Sequence, residues 1–234
     1  MRRQGIALTL AALVATSGVR AGPARAQEAS PGDVPTVAVL DFSSFMMGDA
    51  GMGSVNLGKA ITAMLVTEFS NRPGIRVIER AQLNEMLREQ DLVLSGRVDE
   101  SSAIEIGKLL GAQYILIGQA SSIADNLRMD IRAVDVETSE IVAVLKMSDE
   151  TSELLSVVVA LADQFGEQLN LVPPSERPEV ESIPVQATIA FSRAVDYEDR
   201  GEIEQAIEQY ERTLEIHPSH RDAQRALERL RGES

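Results

Sequence analysis

The chain has 234 residues, no cysteine and no tryptophan, with 22 basic against 36 acidic side chains. The missing cysteines exclude disulfides, thiol catalysis, cysteine–zinc sites and lipid attachment at a bacterial lipoprotein cysteine. The acidic surplus argues against nucleic acid and anionic lipid head groups as partners, because both repel a negative surface.

In chain order, the first element is an export signal. "MRRQG" is a positively charged start, "IALTLAALVA" a short apolar run, and "ARA" (Ala24 to Ala26) a small-x-small cleavage site. The apolar run is about half the length that spans a bilayer. Residues 1–26 are therefore expected to be removed, by the general rather than the twin-arginine route, leaving a periplasmic protein; association with the outer membrane is an open alternative. The remainder carries 18 basic against the same 36 acidic residues. Residues 27–35, "QEASPGDVP", read as a flexible tail.

A mixed pattern follows from residue 36 to 172. "TVAVLDF" has the continuous apolar character of a buried strand. "SSFMMGDAGMGSV" reads as a Met- and Gly-containing loop. "NLGKAITAMLVTEFSN" places Leu57, Ile61, Met64, Leu65 and Phe69 at helical spacing and predicts one buried face, with Asn56 as N-cap. "IRVIER" is a short strand, and "AQLNEMLREQ" a second helix with Leu83, Met86 and Leu87 on one side. "DLVLSGRVDE" turns the chain. "SSAIEIGKLLG" is a third helix, with Ala103, Ile106, Leu109 and Leu110 inward and Gly111 at its end.

Three strands come next. They are "AQYILIGQASSI", "LRMDIRAVDV" and "EIVAVLKMS". Short joints make them an antiparallel meander. In the middle one Arg128, Asp130 and Arg132 form a wet face, and the alternation changes phase at Val134, which predicts a bulge. A helix with Leu154, Val158, Leu161, Ala162, Phe165 and Leu169 on one face closes the unit. Residues 173–184 hold Pro173, Pro174, Pro178 and Pro184 and read as a stiff linker. Residues 185–232 then give two helices and a third.

The stretch "GSVNLGKA" starts like a phosphate-binding loop. Ala60, however, stands where that loop needs a hydroxyl for magnesium, and the preceding strand ends ten residues too early. A nucleotide-binding enzyme is the remote alternative. No Ser-His-Asp, metal or paired-carboxylate constellation is found, and the two histidines, His217 and His220, are too few to hold a metal. No cofactor, no metal and no catalytic residue are expected.

Residues 185–232 resemble a tetratricopeptide repeat with a capping helix. Ala194, Tyr197, Gly201, Ala206, Tyr210 and Pro218 stand at its signature offsets, while Thr213 replaces the usual Ala. The resemblance implies a concave partner face with Thr188, Phe191, Val195 and Glu198 pointing into it. One repeat is too small a core to stand alone, so it is expected to dock on the first domain, on another copy of itself or on a partner.

Residues 36–172 resemble the curli secretion channel (CsgG) family. "ITAMLVTEF", "RVIERAQLNEMLREQDLVLSG", "IGKLLGAQYILIGQAS" and "IRAVDVETSEIV" carry the likeness in order. It implies an α/β fold, a mixed sheet flanked by helices, used for assembly and binding without catalysis. Related domains occur in activators of cell-wall synthases and in the N-terminal part of the Tol-Pal translocation protein. The sites of the family's two membrane hairpins hold only a tight turn and a direct entry into a helix, so no membrane insertion is expected. Glu79 and Arg80 belong to the family's "IER" stretch. They are expected to start the second helix and to fix it through an ion pair. Asp41 either pairs with an arginine or stands exposed. The reading is a non-catalytic envelope adaptor with protein partners, a homo-oligomer in its assembly form. An activator of a cell-wall synthase is the alternative.

Overall fold

The computed structural model describes residues 34–47, 57–89, 99–123, 125–174 and 180–232. The expected export signal, the Asn56 cap and most of the turn after the second helix lie outside these residues.

Six strands make one mixed sheet: β1 Thr36–Val39, β2 Ser43–Met47, β3 Arg76–Val77, β4 Tyr114–Ile123, β5 Asn126–Asp135 and β6 Ile141–Glu150. The order is β3-β1-β4-β5-β6, with β2 also paired to β4. β1 is parallel to β3 and β4, whereas β4, β5 and β6 form an antiparallel meander. β1 is interior and covered on both faces, which explains its unbroken apolar run: Val37, Ala38, Val39 and Leu40 are all buried. The register shift between β5 and β6 falls at Ala133/Val134. The extra residue is Val142 of β6, while β5 keeps its alternation, with Met129, Ile131 and Ala133 toward one core and Val134 toward the other.

The sheet corrects one expectation. The stretch read wholly as a Met- and Gly-containing loop begins with a strand, β2, which runs parallel to the second half of β4 from Ser43↔Gln119 to Met47↔Ile123. β1 and β2 thus act as one interrupted strand beside β4. The break is held from α1 (Leu57–Ser70), where Thr62 Oγ1 accepts from the Phe42 N–H at 3.3 Å. Across it the Phe42 ring lies on Gly118, where a Cβ would stand 2.9 Å from the ring and 3.0 Å from the Asp130 carbonyl oxygen.

α1 and α4 (Leu154–Gln168) cover one face of the sheet. α2 (Arg80–Glu89) and α3 (Glu100–Leu110) cover part of the other. Asp99 caps α3 by accepting from the Ser102 N–H at 2.9 Å. Leu109 was expected inward on α3 but is 49% exposed. The buried stripe is Ala103, Ile106, Gly107 and Leu110, and the small Gly107 takes the place beside Val136. α1 also departs from its expected single buried face. Gly58, Ala60, Thr62, Val66 and Glu68 are buried as well, because α5 packs on its other side.

The last three helices are α5 (Val185–Asp199), α6 (Ile203–Ile216) and α7 (Arg221–Gly232). Ala194 and Ala206 are fully buried, so α5 and α6 approach closely, and Gly201 at φ 75° turns the chain between them. Val34–Ser234 is one compact unit. The segment read as a stiff linker is fastened at its far end: Ile183 is buried and its N–H donates to the Ser152 carbonyl at 2.9 Å. No described helix is long and apolar enough to cross a membrane.

Candidate functional site

Six of the residues singled out in the sequence, Glu79, Arg80, Phe191, Val195, Glu198 and Tyr210, converge where α1 and α2 meet α5 and α7. A groove of about 580 Å³ opens there. Ala63 and Val66 of α1 and Phe191 and Val195 of α5 form apolar walls. Glu79 and Arg80 stand at one side, Glu198 and Tyr210 at another, and Arg225 and Arg229 of α7 on the third.

The partner face expected from the repeat resemblance is not free. Thr188, Phe191 and Val195 are 0%, 2% and 4% exposed. The chain's own α1 lies against α5 and takes the place assigned to a partner. What stays open is the groove, which Phe191, Val195 and Glu198 line and Thr188 does not. Glu198 is engaged twice, accepting from Tyr210 Oη at 2.8 Å and from Arg229 Nη2 at 2.7 Å. Burial, reinforced by the Glu198 charge, holds the Tyr210 phenol well above its usual range. Tyr197 is half-buried under the Arg200 guanidinium, 4.8 Å from its ring centre. α6 ends at Ile216, two residues before Pro218.

Beside the groove lies a charge cluster drawn from four parts of the chain. Arg80 donates to Asp41 at 2.7 Å and to Asp199 at 2.6 Å. Lys59 reaches Asp199 at 2.5 Å, Asp41 at 3.3 Å and Asp196 at 3.5 Å. Asn84 donates to the other Asp199 oxygen at 2.8 Å. Burial alone would raise the Asp41 carboxyl, but Arg80 and Lys59 outweigh it and hold Asp41 below its ordinary 3.8. The same carboxylates hold Arg80 charged against its burial, above its ordinary range.

This arrangement corrects and completes the sequence reading. Glu79 does begin α2, its carbonyl accepting from the Leu83 N–H at 3.0 Å, but its side chain is exposed. The ion pair that fixes α2 is made by Arg80 and reaches forward to α5. Lys59, the lysine of the phosphate-loop-like stretch, is committed to carboxylates, and Ala60 beside it is fully buried. Asp199 and Asp196 carried no signal in the sequence, since 140 residues separate Lys59 from Asp199. Among the described residues, no group of three His, Asp or Glu is placed to hold a metal ion.

Residues 24–124 match the family model of the curli production assembly/transport component CsgG. That match covers β1 to β4 and α1 to α3 and leaves α5–α7 outside it. No curated protein matches the chain. Among solved structures, the chain is similar to the LpoB C-terminal domain from Salmonella enterica, with TM-score 0.42 and 21% identity over 50% of this chain and 84% of that one. It is similar to the lipoprotein GNA1162 from Neisseria meningitidis, with TM-score 0.42 and 15% identity over 57% and 98%. The PelC dodecamer from Paraburkholderia phytofirmans gives TM-score 0.36 and 14% identity over 58% and 88%.

Proposed function

We propose that this chain is a non-catalytic periplasmic interaction protein, an adaptor in envelope assembly or secretion. In this reading α5–α7 are a tetratricopeptide-type hairpin with its capping helix. They build one wall of a binding groove whose other wall is the CsgG-like part. The carrying observation is the groove itself: residues from both halves line it, and Lys59, Arg80, Asp41 and Asp199 beside it are paired with one another.

The test compares the mature chain with Arg225→Glu in capture from envelope extract. Arg225 is exposed on the groove rim but also faces Asp222 and Glu68, so matching circular dichroism and thermal melting of the variant and the unaltered chain are required first. Loss of a specific captured protein in the variant supports the groove; identical capture by both refutes it. Size-exclusion chromatography with light scattering on the same material then divides the two roles. An assembly adaptor elutes as a symmetric oligomer, whereas an activator of a cell-wall synthase elutes as a monomer and stimulates the enzyme when mixed with it. A thermal shift with magnesium-ATP that vanishes in Lys59→Ala would overturn the non-catalytic reading.

A further inference from the structure

The first turn of α7 carries two titratable groups set into the seam with opposite demands. His220 immediately precedes the helix and is 3% exposed. Its ring lies 4.5 Å from that of Phe191. Nδ1 accepts from the Ala223 N–H at 3.4 Å, so the neutral ring carries its proton on Nε2, a buried atom with no partner among the described residues. Among the described residues no carboxylate bonds to it. The ionisable groups facing it are His217, whose ring centre is 6.1 Å away, and Arg221, while Glu181 of the preceding segment faces His217 at 3.9 Å. Asp222, two residues on, lines one cavity with His220 and also reaches α1. There it takes a hydrogen bond from Thr67 and faces Glu68, with the cations Arg221 and Arg225 nearby. Glu68 is itself buried on α1, 3.8 Å from Arg221.

Elementary electrostatics fixes the preference of each. A buried imidazole without a counter-ion is favoured neutral, and so is a crowded carboxyl beside another carboxyl. Burial, helped by His217, lowers His220 from 6.5 to about 4. Burial, helped by Glu68, raises Asp222 from 3.8 to about 6. Closing the seam near pH 5 therefore releases a proton from His220 and takes one up on Asp222. We propose that Asp222 and His220 form a compensated proton pair, which keeps the C-terminal helices docked across mildly acidic conditions where either group alone would make docking depend on pH. The inference is independent of what binds in the groove.

Hydrogen exchange at α7 amides of the full mature chain, corrected for intrinsic rate, reads the seam's opening between pH 6.5 and 4.5. β4 and β5 amides serve as the reference for the whole fold. In the unaltered chain the opening constant should change by less than about 5-fold. In Asp222→Asn the histidine is opposed only by Glu68, whose carboxyl burial also raises, and opening should increase about 10-fold as pH falls. In His220→Gln the carboxyl remains, and opening should decrease over the same range. Glu68→Gln should follow Asp222→Asn in direction. It keeps the test valid should the histidine variant not fold. Single variants that run parallel to the unaltered chain, or changes spread equally over β4 and β5, would overturn the proposal.

Discussion

Two helices pack on α1 from different sides, and they do so by different physics. α4 meets it mainly through apolar contact, with Phe165 fully buried and its ring 5.3 Å from Phe69 and 6.2 Å from Tyr114, both edge-on, and one ion pair just past the end of α1, Arg72 to Asp163 at 2.8 Å. α5 meets it through a mixed surface, apolar at Ala187, Phe191 and Val195 and ionic at Asp196 and Asp199. Apolar contact is non-directional, so it holds a helix down without choosing its register. An arginine gripping two carboxylates admits one placement, and here that placement sets the groove. The first seam supplies stability, and the second supplies position.

The largest expected effect breaks the first seam. Phe165→Ala should cost about 3–5 kcal/mol in urea unfolding, because a cavity replaces two ring contacts. A loss below about 1 kcal/mol would mean that α4 contributes little. Next comes the second seam. Arg80→Ala leaves Asp41 to Lys59 and Asp199 to Lys59 and Asn84, and should cost about 3 kcal/mol. Arg80→Lys should not restore it, since one ammonium cannot reproduce the two-pronged grip. The sign of its pH dependence follows from Asp41, whose carboxyl is held below 3.8. The cluster's contribution is complete above that value and is lost as pH falls through the depressed one. The gap between Arg80→Ala and the unaltered chain should stay constant from pH 8 to 5 and close below pH 4.

Smaller changes sharpen the contrast from outside both seams. Gly118→Ala should cost about 1–3 kcal/mol, since the Asp130 carbonyl cannot move aside for the new methyl group. Leu109→Gln should shift stability by no more than about 0.5 kcal/mol, because that side chain faces water. A large loss there would show that α3 is covered by something beyond the described residues.

Periodicity exposed most elements because each obeys a local rule. β4 to β6 alternate or run apolar, Val134 marks the register shift, and Gly111 and Gly201 mark ends and turns through their backbone freedom. β2 escaped because "SSFMM" is too short and polar to show a strand, and its partner β4 lies 76 residues away in sequence. The second face of α1 was also hidden. Lys59, Ala63, Val66 and Thr67 form a helical stripe, but a lysine and a small residue on it read as a solvent face until α5 and α7 cover them.

From the sequence by itself came the helices, most of the strands and the antiparallel meander of β4 to β6, since local periodicity and short joints are enough for these; the mixed sheet was legible only through the family resemblance. Tertiary structure alone decided that α5 lies on α1, that Arg80 and Lys59 meet Asp199, and that the repeat-like face of Phe191 and Val195 is largely filled by the chain itself. Those outcomes depend on which distant surfaces bury each other, and the energy of that choice is shared between partners that no local pattern connects.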